Sequence, residues 1–96
     1  MKKIKLTKLR EALNPTYPNN IPVRDTRIGT MNNEPKIGES FLMSYVIKKN
    51  GKPKPPGSYF ITSEVTEIID KNTFKTLNSI YQIQILKEKI TIKDIL

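Results

Sequence analysis

Apolar and polar residues alternate most clearly in the segment 79–86, SIYQIQIL, where aliphatic and tyrosine side chains alternate with two glutamines. Side chains on a strand point to opposite faces with a period of two, so this pattern predicts a half-buried strand. The segment 59–69, YFITSEVTEII, is rich in β-branched and aromatic residues, which favour a sheet. Its alternation slips near Ser63 and Glu64, which a bulge would accommodate. With a short strand at 73–76 between turn residues, the pattern predicts a meander over residues 58–87.

A second clear pattern covers Glu39–Ile47. The residues that share one face by alternation are Phe41, Met43, Tyr45 and Ile47. Leu42 and Val46 are apolar on the other face, which indicates partial burial on both sides, as in a small closed barrel. A weaker pattern over Arg24–Thr30 also predicts a strand, with both arginines and Asp25 at the surface.

The N-terminal segment has mixed character. Met1–Leu6 alternates lysines with apolar residues, which is compatible with an edge strand or a flexible arm. Thr7 suits the start of a helix, and apolar residues at helical spacing follow it until Asn14-Pro15 ends the pattern. We therefore expect a short helix near residues 7–14. At the other end, Ile90–Ile92 fits either a last strand or a short terminal helix.

Together these elements predict a mainly β fold: a small antiparallel SH3-like barrel or roll with one short N-terminal α-helix, formed by residues 1–96 as a single domain. The predicted strands are Met1–Leu6, Arg24–Thr30, Glu39–Ile47, Ser58–Ile69, Thr73–Thr76 and Ser79–Lys87. Closure of the sheet would leave no unpaired edge.

Two segments of the meander, 62–68 (TSEVTEI) and 74–81 (FKTLNSIY), carry a family resemblance. They are similar to small uncharacterised proteins of phages and of AT-rich bacteria that follow the pattern TS-x-V-x-E-I … F-x-T-x-N-S-x-Y. The resemblance implies a small β-barrel-like domain encoded on a mobile element. It implies no catalytic residues and no cofactor.

The composition limits the possible chemistry. Cysteine and histidine are both absent, which removes disulfides, thiolate chemistry and the usual general base and metal ligand. Glu64 and Glu67 fall on opposite faces of a strand, so they do not converge on a metal. We expect a protein that is not an enzyme and binds neither metal nor cofactor. Without a long apolar run or a signal-peptide pattern, we also expect a cytoplasmic protein (host cytoplasm if viral) with no membrane partner.

The formal net charge of +8 indicates an anionic partner, and the positive charge is concentrated in two segments that contain no acidic residue. One is the N-terminus; the other is the proline-rich loop 48–58, KKNGKPKPPGS, which we expect to be exposed and mobile. Candidate nucleic-acid-binding residues are Lys2, Lys3, Lys5, Lys48, Lys49, Lys52, Lys54 and Tyr59. The lysines would neutralise phosphates and the tyrosine would stack on a base. Alternatively, the lysines are solvated and the tyrosine belongs to the core.

No motif identifies a reaction or a specific partner, and the sequence is consistent with three candidate functions. The first is a phage or mobile-element accessory protein that binds DNA or RNA without strong sequence specificity. The second is a phage-encoded protein that binds and inhibits a host or defence protein. The third is a structural virion component. The sequence predicts neither an oligomeric state nor a common face for the two basic segments.

Overall fold

The computed structural model describes residues 2–11 and 23–86, all of which belong to strands, turns or loops. The strands are β1 (Lys2–Glu11), β2 (Thr26–Met31), β3 (Ser40–Lys49), β4 (Lys52–Pro53), β5 (Phe60–Asp70), β6 (Thr73–Thr76) and β7 (Ser79–Ile85). The described residues contain no helix long and apolar enough to cross a membrane.

The strands form one antiparallel barrel in the order β2-β1-β7-β6-β5-β3, and a further pairing between β2 and β3 closes the ring. Strand β4 adds a two-residue hairpin arm to β3. The six barrel strands are joined to their neighbours in chain order, and β7 returns to pair with β1. The predicted mainly β fold and small closed barrel are therefore confirmed. Each strand predicted beyond residue 23 begins and ends within two residues of its predicted bounds.

The barrel interior is filled by side chains from all six barrel strands. Its buried apolar cluster comprises Ile4, Leu6, Met31, Phe41, Met43, Val46, Val65, Phe74, Tyr81 and Ile83. The ring of Phe74 lies between two others, with centroids 5.0 Å from Phe41 and 5.5 Å from Tyr81. Aromatic contacts of this kind add about 0.5–1.5 kcal/mol each beyond the area that they bury.

The prediction that one face of β3 carries Phe41, Met43, Tyr45 and Ile47 is wrong after Met43. Tyr45 has a φ of 48°, in the left-handed region, and its side chain is 60% exposed. The β2–β3 register shifts at this place, and Val46 takes the inward position instead. A bulge moves every later side chain of a strand to the opposite face, so simple alternation fails beyond it.

The predicted N-terminal helix is wrong for Lys8–Glu11, which continues β1. Lys8 lies opposite Tyr81, and Arg10 and Glu11 lie opposite the start of β7. A helix of about two turns is marginal in water, and pairing with a neighbouring strand supplies the hydrogen bonds that the helix would have made locally. Residues 12–14 of that prediction, and Ile90–Ile92, lie outside the described residues.

Candidate nucleic-acid interface

The two basic segments lie on either side of β2, one on β1 and the other on β3 and β4. Lys5 of β1 is opposite Ile28 of β2, and Ile28 is opposite Lys48 of β3. Because adjacent strands are about 4.8 Å apart, the two segments are separated by only about 10 Å across β2. The structure therefore brings together, on one side of the barrel, two stretches that are more than 40 residues apart in the sequence.

The candidate lysines differ greatly in exposure. Lys3 and Lys48 are only 5% and 9% exposed, so they offer little ammonium surface to a ligand. Lys2 is exposed but lies 3.7 Å from the carboxylate of Glu34. Lys5 and Lys49 are half-buried, and Lys52 and Lys54 are exposed. Within the described part of the chain, the ammonium groups of these last four lysines form no ion pair.

Residues 48–54, here called the lysine hairpin, turn through Asn50 and Gly51. Both residues have positive φ, 50° and 84°, which is typical of the two-residue type I′ turn and explains the Asn-Gly pair. The turn places Lys49 directly opposite Lys52. Like charges at such a position repel each other, and a bound anion would relieve the repulsion.

The tip of the lysine hairpin is attached to the start of β2. The backbone N–H of Asn50 donates to the Thr26 carbonyl at 2.9 Å, and the backbone N–H of Thr26 donates to Oδ1 of the Asn50 side chain at 2.8 Å. The Asn50 side-chain amide also donates to Oδ1 of Asp25. These three bonds hold the basic turn against the barrel, whereas the sequence led us to expect a mobile loop.

Asp25 and Arg27, predicted to be at the surface, are buried instead. Oδ2 of Asp25 lies 2.6 Å from Nη1 of Arg27, and the two side chains are 0% and 9% exposed. Oδ2 makes no well-aligned hydrogen bond among the described residues, so this contact is chiefly an ion pair. The guanidinium also lies 3.9 Å from the centroid of the Phe60 ring. Arg27 is thus paired internally and contributes to the fold rather than to the basic surface.

Lys8 and Glu11 form a second ion pair on β1, with Nζ 2.5 Å from Oε1. The Lys8 side chain is fully buried.

Tyr81, opposite Lys8 on β7, is the one described residue with a clearly shifted pKa. Burial raises the pKa of Tyr81, while a hydrogen bond with Ser79 and the charge of Arg27 act in the opposite direction. In the part of the chain that is described, no three acidic side chains come together as a metal site.

Tyr59, the one aromatic candidate, is 71% exposed, so it does not belong to the core. It lines a shallow groove of about 540 Å³ on the outer surface of the barrel. The groove, here called the tyrosine groove, is lined by Asn32, Leu42, Ser44, Tyr45, Gly57 and Tyr59.

Tyr45 is the residue that the sequence pattern missed. Alternation placed it inside the barrel, and only the β3 bulge turns it outward. One signal was present in the sequence: Val46, immediately after Tyr45, is apolar although alternation placed it on the other face. An apolar residue out of phase in this way is what a bulge produces.

Comparisons with protein-family models, with curated proteins and with solved structures found no match for this chain. The functional argument therefore rests on the geometry of its own residues.

Proposed function

We propose that this protein is a small, non-enzymatic nucleic-acid-binding protein without strong sequence preference. The observation that carries the proposal is the position of four lysines around β2: Lys5 lies on β1, which pairs with one edge of β2, and Lys49, Lys52 and Lys54 lie in the lysine hairpin, whose strand β3 pairs with the other edge. We leave Lys3 and Lys48 out of the interface because they are buried.

Lysine ammonium groups contact phosphates, which are the same for every base, so this surface favours binding that depends on charge more than on sequence. If all four lysines contact phosphates, counterion release gives a slope of log K against log salt of about −3 to −4. The anchored turn adds to this by holding Lys49 and Lys52 in place before the ligand arrives, which lowers the ordering cost of binding.

The proposal extends to the setting expected from the sequence. A phage or mobile-element accessory role in the cytoplasm is consistent with the resemblance of segments 62–68 and 74–81 and with the absence of cysteine. We also propose the SH3-like class for this barrel, supported by its small size and its antiparallel meander.

The test is binding of labelled oligonucleotides, measured by fluorescence anisotropy between 50 and 300 mM salt. The triple variant Lys49→Ser, Lys52→Ser, Lys54→Ser removes three charges from the hairpin. The control variant Lys36→Ser, Lys71→Ser, Lys75→Ser removes three charges elsewhere. We expect the hairpin variant to lose most affinity and to flatten the salt slope by about two to three units. Equal losses in both variants would show that only the overall charge matters.

A second candidate function, binding and inhibition of a host or defence protein, is favoured by one observation. Leu42 and Ile61 form a cross-strand pair on the outside of the barrel and are 45% and 56% exposed. Exposed apolar residues beside tyrosines are common where proteins bind each other. This candidate predicts a stoichiometric complex that survives nuclease treatment, and dissociation by nuclease would contradict it.

The third candidate function, a structural virion component, predicts that the protein self-associates. A monomer at all concentrations would contradict this role.

A further inference from the structure

We propose that the tyrosine groove makes this protein selective for unpaired nucleotides over duplexes, with Tyr45 and Tyr59 stacking on bases. This inference rests on the proposed function, because the lysine hairpin must supply the phosphate contacts.

The two tyrosines project from backbone segments that are hydrogen-bonded to each other. The Val46 amide, next to Tyr45, donates to the carbonyl of Ser58, next to Tyr59, at 2.7 Å. Both side chains line the same groove and are 60% and 71% exposed. Neither ring stacks on another aromatic ring among the described residues, where the aromatic pairs involve Phe41, Phe60, Phe74 and Tyr81. Two exposed tyrosine rings in one groove, neither stacked on another aromatic ring of the described residues, form a platform for planar ligands.

The backbone at Tyr45 is held in a conformation that costs free energy. Its φ of 48° lies in the left-handed region, which non-glycine residues populate sparsely. Asparagine or glycine would adopt this φ more readily. The strained conformation turns the ring away from the core and into the groove, where it adds nothing to the packing of the interior. Such strain at an exposed aromatic residue is typical of a binding site.

The groove also has room for a base and a connection to the basic surface. Gly57 borders it with a φ of 81°, and a Cβ atom there would meet nothing within 4 Å, so this rim is open. The Lys54 amide donates to the carbonyl of Ile47 at 3.0 Å. Ile47 follows Tyr45 by two residues, about 7 Å along the strand. A base on Tyr45 would therefore have its phosphate within the reach of Lys54.

Stacking explains why the selectivity should favour single strands. In a duplex the face of each base is already covered by its neighbours, whereas an unpaired base exposes a face that an aromatic side chain can cover. Every base has such a face, so stacking on Tyr45 and Tyr59 tolerates any sequence. The groove and the lysine hairpin together thus match an extended single strand of DNA or RNA.

The test uses Tyr45→Asn, which removes the ring but suits a positive φ, together with Tyr59→Ser. Phenylalanine at each position is the matched control, because it keeps the aromatic face and removes only the hydroxyl. Binding of one oligonucleotide is measured as a single strand and as a duplex. Circular dichroism establishes that each variant is folded.

We expect the wild type to bind the single strand at least about tenfold more tightly than the duplex. The double variant should lose about tenfold or more for the single strand and little for the duplex, and the phenylalanine variants should keep the preference. Since the chain has no tryptophan, quenching of tyrosine emission by the bound strand gives a second readout.

Equal affinity of the wild type for single strand and duplex, or normal single-strand binding by the double variant, would overturn the inference while leaving the proposed function intact. Absence of salt-dependent binding to any nucleic acid would overturn both. Loss of a protein complex in the groove variants, with nucleic-acid binding unchanged, would assign the groove to a protein partner and overturn the inference.

Discussion

Replacing Gly29 by alanine is expected to destabilise the barrel where β2 and β3 close it. A Cβ atom on Gly29 would lie 2.9 Å from the carbonyl oxygen of Ser44, 3.1 Å from Cα of Val46 and 3.3 Å from Cε of Met43. The first two contacts are with backbone on either side of the β3 bulge, so no side-chain rotation can relieve them. The two strands would have to separate by several tenths of an ångström.

The expected magnitude follows from two opposing effects. Insertion of a methyl group into a tightly packed site costs about 1–3 kcal/mol. Alanine also reduces the conformational entropy of the unfolded chain relative to glycine, which stabilises the folded protein by about 0.4–1 kcal/mol. The middle of each range gives a net loss of about 1.3 kcal/mol, or a decrease in Tm of about 5–10 °C for a domain of this size.

Thermal unfolding of Gly29→Ala, followed by circular dichroism, measures this directly. The control is Gly38→Ala, where the new Cβ would meet nothing within 4 Å but φ is 92°. That variant reports the backbone cost alone, without a steric clash. An unchanged or increased Tm for Gly29→Ala would show that β2 and β3 are not in close contact and would refute the closed seam.

Two further predictions concern the buried polar groups. Asp25→Ala leaves the Arg27 guanidinium buried without its partner and should cost about 3–5 kcal/mol, measured by urea unfolding. The double variant with Arg27→Met should recover most of that loss, and a double variant as unstable as the single one would refute the pairing. Burial raises the pKa of Tyr81, so the unfolded state ionises first and stability should fall as pH rises above the ordinary tyrosine value of about 10. Tyr81→Phe should reduce that alkaline loss; an identical pH dependence in both proteins would contradict the buried environment of Tyr81.

The strands could be predicted from the sequence because their signals are local. Alternation over residues 79–86 and β-branched residues over 59–69 both reflect a side chain's own neighbours, and the structure has strands there. The helix expected near residues 7–14 failed for a non-local reason. Lys8–Glu11 has neighbours that suit a helix, but β7 offers it a partner strand, and single-sequence patterns do not encode that choice.

The candidate interface was only partly predictable for the same reason. Clusters of lysine are visible in the sequence, but the burial of Lys3 and Lys48 depends on the strands around them. The ion pair of Asp25 with Arg27 also had no sequence signal, since a mixed-charge stretch usually lies at the surface. Tyr45 reached the groove through a bulge, which depends on the register between β2 and β3.

The central claim is that the lysine hairpin binds nucleic-acid phosphates, and the salt dependence of binding tests it most directly. One labelled single strand is titrated with the wild type, with the Lys49, Lys52 and Lys54 serine variant, and with the Lys36, Lys71 and Lys75 control. We predict a log–log slope of about −3 to −4 for the wild type and the control, and a slope near zero to −1 for the hairpin variant. The same slope in all three proteins would contradict the account.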